Sequence, residues 1–429
     1  MKNKVMKTFV AALLAGTLTL SALSGCGGKT TDTNTPSNDA ATQEQATDDT
    51  AAPTPSNEDA APVADDGADV EHKGTIMWLA HISSGISYES FVNYGEAVCK
   101  ELGYTFQVVY GDMFNDPAGN LSAVKNAMTD DVVAIISSFD GGIQNIMDEY
   151  PDLYVCGFNC EMLGVYGEGG PAASCLENDH YLGTIIDGRK TGTEMGQEYF
   201  NAVVEQGYKK ISLVAFPSYA YPSLAEADAA FRAEIENYNS TADEPIELVG
   251  ETKVLEFMPL EDSYFLDANY GDLDAIIAFC AGTQFVYPTM KTAIAGGTCS
   301  ADTKLVTGGF EDDADLVVDI GGEGVIQYIS FSASENIAYP IILLDNALNG
   351  TMYTDFKAEA ISPVPFVIDS KEDIDNVMTK SLAGTADPSL AQLSMDEIKN
   401  LCTRFNPDAT YADLVATFQS EQLSVDNLK

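Results

Sequence analysis

Polar and aromatic residues follow the apolar runs of this chain, and their placement marks candidate binding residues. Ligands of parallel α/β sheets bind beyond the carboxyl ends of the strands, where loops and helix N-termini expose N–H groups. The side chains that follow a predicted strand are therefore expected to face a ligand. In the first half of the chain they are His81, Ser83, Ser84, Tyr88, Asp112, Ser138, Phe139, Asp140 and Asn159, and in the second half Ser218, Tyr219, Tyr221, Cys280, Thr283, Gln284, Glu311 and Asp312.

These side chains suit a small neutral solute that carries several hydroxyl groups. Carboxylates and amides bind hydroxyls, and aromatic faces cover C–H surface, although the same faces would also stack a nucleobase. The structural alternatives stay open for single residues. An aromatic residue can belong to the core, because the chain has 19 Phe and 20 Tyr to place. Asp112, Glu311 and Asp312 can be helix caps or solvated loop charges, and His81 can be a satisfied polar residue.

Asp140 carries the most specific of these predictions. It follows the predicted strand 132–137 and precedes the pair Gly141 and Gly142, which opens a helix. A carboxylate at this place would accept hydrogen bonds from ligand hydroxyls, or it would serve only as a cap for the following helix.

Arginine is scarce, and this scarcity disfavours an anionic ligand. Only Arg189, Arg232 and Arg404 occur, so a bidentate cage for a phosphate or a dicarboxylate is hard to assemble. Catalytic motifs are also missing: the sequence contains no G-x-S-x-G, H-E-x-x-H or G-x-x-x-x-G-K-[ST] pattern. We therefore expect a binding protein without a cofactor rather than an enzyme.

The charge of the chain excludes nucleic acids as favoured partners. The 429 residues include 66 Asp and Glu against 21 Lys and Arg, which gives a formal net charge of −45. Such a chain repels polyanions and lacks the basic stripe of a nucleic-acid-binding protein. Its length is roughly three times the commonest domain size of about 100 to 150 residues, so we expect more than one lobe.

The cysteine pattern indicates buried thiols rather than a metal site. Apart from Cys26 there are seven cysteines, an odd number without a repeated CxxC spacing, and a body of this size does not depend on disulfides. Three residues separate Cys156 from Cys160, but the chain has only three histidines and Cys156 lies in a strand pattern. No metal is expected.

The N-terminus has the layout of a secretory signal. Lys2, Lys4 and Lys7 precede an apolar run that is too short for a comfortable membrane span. The run ends in Leu-Ser-Gly-Cys, which resembles a bacterial lipobox with Cys26 as the lipidated residue, and the alternative is an uncleaved anchor helix. Residues 27–73 are polar and rich in Pro, Thr and Asp, so they are expected to form a disordered tether between residues 1–26 and the folded body.

The body alternates short β-like runs with amphipathic helical stretches, which predicts parallel sheets covered on both faces. An irregular glycine-rich stretch over 160–182 separates two such series. In the first series we predict strands at 75–82, 105–110, 132–137 and 153–158 and helices at 87–102, from 117 and at 143–150. In the second series we predict strands at 211–216, 247–254, 275–280, 304–307, 325–330 and 364–369, and helices at 189–205, 223–237, 284–295, 313–320, 335–348 and from 394.

The order of these elements resembles that of the type 1 periplasmic-binding-protein family, whose members are solute receptors of ABC importers. The likeness runs from about Thr75 to Asp369. It is carried by Leu102-Gly103-Tyr104 with Asn115-Asp116-Pro117, by Asp187-Gly188-Arg189-Lys190 with Gly196, by Asp274-Ala275-Ile276-Ile277-Ala278, by Gly308-Gly309-Phe310-Glu311-Asp312 and by Ile337-Ala338-Tyr339. The resemblance implies an α/β protein with two Rossmann-like lobes, a hinge of three chain crossings and a ligand between the lobes.

The ligand loop of the second lobe departs from the pattern of the sugar receptors. They usually have an Asn-Asp pair there, whereas this chain has Cys280-Ala281-Gly282-Thr283-Gln284, which looks closer to nucleoside-binding lipoproteins of the same superfamily. The Asp-Lys-Ser-Phe-Asn start of those lipoproteins is absent. The resemblance thus implies a sugar, or alternatively a nucleoside, as the ligand.

The resemblance also implies partners, location and lobe boundaries. We expect a monomeric, lipid-anchored extracytoplasmic receptor that delivers its ligand to ABC permease subunits, or a receptor that reports ligand occupancy to a sensor kinase. The expected crossings lie near 184–188, 331–332 and 362–365. These crossings assign residues 74–186 with 332–362 to lobe 1, and residues 187–331 with 363–429 to lobe 2.

Overall fold

Two twisted β-sheets, each covered by helices, organise the folded body. The computed structural model describes residues 72–81, 86–111, 116–186, 191–218, 221–309, 314–420 and 422–428. The predicted signal segment, the lipobox with Cys26 and the tether up to residue 71 lie outside the described residues. We call the sheet built from residues 75–185 and 360–361 with its helices the first lobe, and the sheet built from residues 210–331 and 366–368 with its helices the second lobe.

The first sheet has the strand order β12-β5-β4-β3-β1-β2, and its pairs are parallel. β1 pairs with β2 in the register Thr75 to Thr105 and Ala80 to Tyr110, so the carboxyl ends of the two strands meet at one edge. Its strands are β1 (Thr75–Ala80), β2 (Thr105–Tyr110), β3 (Val132–Ser137), β4 (Tyr154–Phe158), β5 (Tyr181–Ile185) and β12 (Ala360–Ile361).

The second sheet has the order β13-β11-β10-β9-β6-β7, and β8 also pairs with β6. All pairs are parallel except that between β13 and β11, which is antiparallel. Its strands are β6 (Lys210–Ala215), β7 (Glu247–Leu248), β8 (Lys253–Val254), β9 (Ala275–Ala278), β10 (Lys304–Gly308), β11 (Ile326–Phe331) and β13 (Phe366–Ile368).

Helices connect the strands and cover both sheets. Several begin at a side chain that accepts a backbone N–H of the first turn; Asp116, for example, accepts the N–H of Gly119 at 2.7 Å. The helices are α1 (Ile86–Leu102), α2 (Pro117–Ala127), α3 (Ile143–Glu149), α4 (Leu163–Tyr166), α5 (Gly192–Glu205), α6 (Pro222–Asn239), α7 (Gly282–Phe285), α8 (Tyr287–Gly296), α9 (Ala314–Val318), α10 (Ala338–Leu348), α11 (Lys371–Lys380), α12 (Leu382–Thr385), α13 (Met395–Leu401) and α14 (Tyr411–Phe418).

Strand β1 shows why the sheets are buried on both faces. Ile76 and Trp78 lie in a core cluster that contains residues of α1, whereas Met77 and Leu79 lie in a second cluster with residues of α2 and α3. All four side chains are fully buried. These four consecutive apolar side chains therefore fill the core on both faces of the parallel sheet, as the sequence predicted.

The described strands show three places at which the chain passes from one sheet to the other. β5 ends at Ile185 in the first sheet, and the next described element, α5, precedes β6 of the second sheet; residues 187–190 of this crossing lie outside the described residues. β11 ends at Phe331 and leads into a 3₁₀ turn at Ser334–Ile337 and α10, which packs on β4 and β5. The third crossing runs from β12 to β13.

The C-terminal residues differ from the predicted lobe assignment, which placed 363–429 in lobe 2. Helices α12 and α13 pack against α1 of the first lobe, and Arg404 donates to the Asp345 carboxylate at 2.8 Å and to the Leu102 carbonyl at 2.9 Å. The 3₁₀ turn at Val425–Asn427 packs against β13 and α11 of the second lobe. Only part of the C-terminal segment therefore lies on lobe 2, because its apolar side chains complete the core beside α1 and α10.

Most predicted elements agree with the structure within a few residues, and the differences have local causes. The predicted strand 247–254 is divided into β7 and β8 at Gly250, whose φ of +68° breaks the extended conformation. β5 extends through residues 181–185, partly inside the stretch expected to be irregular. The seven cysteines outside the signal segment are thiols, and five of them, Cys99, Cys156, Cys175, Cys299 and Cys402, are buried.

Candidate functional site

A pair of tyrosines occupies the carboxyl edge of the first sheet. Tyr88 lies in the first turn of α1 and Tyr110 is the last residue of β2, and their hydroxyl oxygens are 2.5 Å apart. The ring of Tyr88 stacks on the buried Trp78 of β1 at 5.9 Å, while Tyr110 is 49% exposed. The predicted residue Tyr88 thus forms part of a hydrogen-bonded aromatic surface at this edge.

Strand β2 ends at Tyr110, and the next residue, Gly111, lies close to the side chains of Phe139 and Asn120. A Cβ added at the following residue, Gly111, would lie 2.3 Å from the Phe139 ring and 2.6 Å from the Asn120 side chain, so only glycine allows this approach.

Two of the three predicted residues that follow β3 are buried. The buried Ser138 hydroxyl accepts the indole N–H of Trp78 at 2.9 Å, so it supports the Trp78 ring rather than facing solvent. Phe139 is also buried, and its ring makes an edge contact with the exposed His81 at 6.2 Å. Phe139 therefore packs against the ring of His81, and His81 is the more accessible of the two residues.

Asp140 fixes a neighbouring loop. Its Oδ2 accepts the backbone N–H of Gly164 in α4 at 2.9 Å, and the residue is half-buried. Helix α3, the alternative partner that the sequence offered, begins at Ile143, and its N-cap residue Gly142 makes no side-chain hydrogen bond. The carboxylate is thus positioned by a contact across the loop, between the ends of β3 and β4.

Asn159 links the two lobes at the second crossing. It follows β4 in the left-handed backbone region, with φ of +53°, and its Oδ1 accepts the hydroxyl of Ser332 at 2.9 Å. Ser332 comes directly after β11 of the second sheet. This predicted residue therefore lies at the hinge, beside the carboxyl ends of β4 and β11.

Aromatic side chains also gather at the carboxyl edge of the second sheet. The predicted residue Tyr221 is 42% exposed, and its ring lies 6.1 Å from that of the buried Phe216, which follows β6. Phe257, which follows β8 with φ of +56°, stacks on Phe216 at 5.4 Å, and Phe285 meets the same ring edge-on at 5.0 Å. The second lobe thus presents an aromatic cluster at the edge where ligands bind in such sheets.

The predicted residues after β9 are exposed to different extents. Cys280 is half-buried and Gln284 is exposed, whereas Thr283 in α7 is only 3% exposed. Helix α7 is attached to β10 through the N–H of Gly282, which donates to the Thr307 hydroxyl at 2.9 Å. Ser218, after β6, is exposed. Ser83, Ser84, Asp112, Tyr219, Glu311 and Asp312 lie outside the described residues.

The structure adds three residues to the site that the sequence reasoning missed: Tyr110, Phe257 and Ser332. Tyr110 and Phe257 lie at or just after strand ends, so the rule that selected the other candidates would have found Tyr110 if terminal strand residues were included. Ser332 was assigned only to a crossing. Its contact with Asn159 is 173 positions distant in sequence, and no local pattern indicates it.

A groove on the described surface lies apart from the candidate site. A surface groove of about 450 Å³ is lined by Asp355, Lys357, Glu359, Tyr411 and neighbouring α14 residues, and it contains none of the predicted residues. Asp355 accepts the N–H of Tyr411 at 2.8 Å and so caps α14. Among the described residues, no group of three His, Cys, Asp or Glu side chains is arranged to hold a metal ion.

Comparison with solved structures identifies the fold. A solute-binding protein of an ABC transporter from Agrobacterium vitis, bound to α-D-tagatopyranose, has 15% identity and a TM-score of 0.53 over 70% of this chain and 96% of its own. An arabinose-binding protein from Geobacillus stearothermophilus has 13% identity and a TM-score of 0.53 over 71% of this chain and 99% of its own. A solute-binding protein of an ABC transporter from Burkholderia graminis, in complex with D-arabinose, has 12% identity and a TM-score of 0.51 over 72% of this chain and 98% of its own.

The chain therefore has the α/β fold of type 1 periplasmic binding proteins, with two lobes built on parallel-strand sheets. The sequence comparisons find nothing comparable: no protein-family model and no curated protein matches. The structural neighbours are covered almost completely, whereas more than a quarter of this chain lies outside each alignment.

Proposed function

We propose that this protein is an extracytoplasmic solute-binding lipoprotein that captures a small neutral polar ligand, a sugar or a related polyol, between its two lobes and delivers it to an ABC permease. One observation carries the proposal: the carboxyl edges of both sheets bear accessible aromatic and hydrogen-bonding side chains, with Tyr88 and Tyr110 on one lobe and Tyr221 and Phe257 on the other. Such surfaces bind C–H faces and hydroxyl groups at the same time.

The chemistry of these edges supports a neutral ligand. Among the described residues of the proposed site there is no Lys or Arg, and Asp140 carries the one carboxylate. The neighbouring structures with bound α-D-tagatopyranose and D-arabinose contain ligands of this kind. No catalytic step is part of the proposal.

A thermal-shift screen tests the ligand class directly. The panel contains D-arabinose, D-tagatose, myo-inositol, hexoses, disaccharides and nucleosides, and a ligand at about 100 times its dissociation constant adds roughly 2.7 kcal/mol of stability. Stabilisation by a sugar or polyol alone supports the proposal. Stabilisation by nucleosides alone would replace it with nucleoside binding, for which the aromatic cluster around Phe216 would provide the stacking surface.

Closure of the lobes is the second test. The proposal requires a monomer that becomes more compact when the identified ligand binds, because rotation about the crossings closes the space between the lobes. Small-angle scattering should show a smaller radius of gyration at saturating ligand. An unchanged radius would indicate a rigid binder.

Membrane anchoring belongs to the proposal through Cys26 and the tether, whose sequence has the lipobox pattern. In the part of the chain that the structure describes, no helix has the length and apolar character needed to cross a bilayer. Cys26→Ser should release the protein into the medium or leave it unprocessed. A Cys26→Ser protein that stays membrane-bound at mature size would exclude the lipid anchor. Co-purification with permease subunits, rather than with a sensor kinase, would support import.

A further inference from the structure

The C-terminal segment contacts elements of both lobes. We call residues 382–428 the C-terminal strap. It leaves the second lobe at the end of α11, where a Cβ on Gly384 would collide with the Val377 carbonyl, and then runs along α1 of the first lobe.

The strap is firmly attached to the first lobe. The Tyr94 hydroxyl of α1 donates to the Leu393 carbonyl, and Thr403 donates its backbone N–H to Asn346 of α10 at 2.9 Å. The Arg404 side chain binds the fully buried Asp345 carboxylate at 2.8 Å. Leu414 of α14 is fully buried. These contacts bury the strap in the first lobe as an integral layer.

The end of the strap returns to the second lobe. The 3₁₀ turn at Val425–Asn427 packs against β13 and α11, and Val425 is only 7% exposed. The Gln392 side chain donates to the Ser424 carbonyl at 2.9 Å, so the beginning of the strap holds its end. The chain therefore passes between the lobes twice more, in addition to the three crossings.

Polar contacts connect the strap to the hinge itself. The backbone N–H of Gln392 donates to the Glu335 carboxylate at 2.8 Å, three residues after Ser332 in the second crossing, and Glu335 is 3% exposed. The next residue, Asn336, is completely buried, and within the described residues neither atom of its side-chain amide has a hydrogen-bond partner. The strap thus touches the segment whose backbone must rotate when the lobes move.

We infer that the C-terminal strap restrains the rotation of the two lobes, because any change in the angle between them must move residues 422–428 relative to α1 or bend the Glu335–Gln392 contact. Two lobes joined by five passages of the chain can adopt fewer relative orientations than two lobes joined by three. The inference goes beyond the proposed function and holds for any ligand, since it concerns the ligand-free chain.

Hydrogen exchange on the full-length, ligand-free protein tests the strap. Val425→Ser and a truncation after Ser420 should loosen the second-lobe attachment and raise exchange in peptides covering 326–336 and 362–368 by about threefold or more, with β1 to β3 unchanged. Phe418→Ala is the matched control, because it removes a buried strap ring that packs edge-on against Tyr339 of α10 on the first lobe, and it should leave 362–368 unchanged.

Two results would overturn the inference. One is unchanged exchange at 326–336 and 362–368 in both the truncated chain and Val425→Ser. The other is an equal rise across both sheets, which would show general destabilisation rather than a restraint at the hinge. Neither result depends on a ligand, so the proposed function would remain untouched.

Discussion

The hydroxyl oxygens of Tyr88 and Tyr110 lie 2.5 Å apart and join the first turn of α1 to the end of β2. Burial, together with the hydrogen bond to Tyr110, raises the pKa of Tyr88 well above its ordinary value, so the Tyr88 phenol is neutral at physiological pH. Trp78 stacks behind Tyr88 and fixes its ring. The pair is therefore a rigid aromatic surface that also offers hydroxyl groups.

We predict that Tyr110 contributes to ligand affinity more than to stability. Tyr110→Phe should weaken binding of the solute found in the screen by about threefold, and Tyr110→Ala by about tenfold, which corresponds to roughly 1.4 kcal/mol. The melting temperature without ligand should hardly change, because the side chain is 49% exposed. Isothermal titration calorimetry measures the affinity. Phe405→Ala, a similarly exposed aromatic residue on the strap, is the control, and equal losses in both variants would contradict the prediction.

For Asp140 the structure separates a structural role from a binding role. Asp140→Ala leaves the N–H of Gly164 without its acceptor and should lower the free energy of unfolding by about 1 kcal/mol. Asp140→Asn keeps an acceptor oxygen and removes the charge. If the carboxylate binds ligand hydroxyls, Asp140→Asn should weaken binding by about tenfold at nearly constant melting temperature. Full affinity in Asp140→Asn would leave only the loop contact.

The ion pair between Arg404 and Asp345 should be among the most sensitive positions of the strap. Asp345 is completely buried and Arg404 binds it at 2.8 Å, so Arg404→Met would leave a buried charge without its main partner. We expect a loss of about 3 kcal/mol in denaturant unfolding. Lys125→Met removes a cation from an exposed pair with Glu149 and should change the free energy of unfolding far less, because water screens this pair. Similar losses in the two variants would show that Asp345 has other adequate partners.

Glu335 should make stability depend on pH. Burial raises the pKa of this carboxyl group above its ordinary value, and the N–H of Gln392 lowers it in part. The folded state therefore holds this proton more tightly than the unfolded chain does. The charged carboxylate of Glu335 therefore lowers the free energy of unfolding. This destabilisation is absent below the unfolded pKa of about 4.3 and grows as the pH rises through the folded pKa.

Glu335→Gln tests this sign. The variant should be more stable than the wild type at pH 7, and the difference should shrink as the pH falls toward about 4. Thermal unfolding between pH 4 and pH 8 measures both. Because the amide still offers an oxygen to Gln392, the strap contact is retained. A variant that is less stable at pH 7 would show that the charged form is favoured in the fold.

Local patterns predicted most strands and helices of the body. The bounds of β2 and β3 agree with the runs predicted at 105–110 and 132–137. β3 is recognisable because a parallel strand buried on both faces is apolar almost throughout, whereas β2 is a partly buried edge strand. β12 has two residues and α11 buries only Ile374 and Val377. Such short or sparsely apolar segments carry little periodic signal, and both were missed.

The site was harder to predict than the fold, because contacts between distant residues decide which strand-end side chains are accessible. Ser138 was selected by its position, but Trp78, sixty positions away, takes its hydroxyl. Tyr221 was selected by the same rule and is accessible. The lobe assignment of the C-terminal residues depended on the partners of Arg404 and Gln392, which no spacing in the sequence indicates.

The cysteine thiols differ in accessibility, and this difference provides a chemical probe of the carboxyl edge of the second sheet. Burial raises the pKa values of the Cys99, Cys156 and Cys402 thiols well above the ordinary value, so their thiolate fractions at neutral pH are very small and alkylating reagents reach them slowly. Cys280 is half-buried beside the candidate residues Thr283 and Gln284. A bulky maleimide would therefore modify Cys280 far faster than those three thiols. A ligand bound at the candidate site would shield Cys280, so the modification rate would report the fraction of protein molecules that hold a ligand.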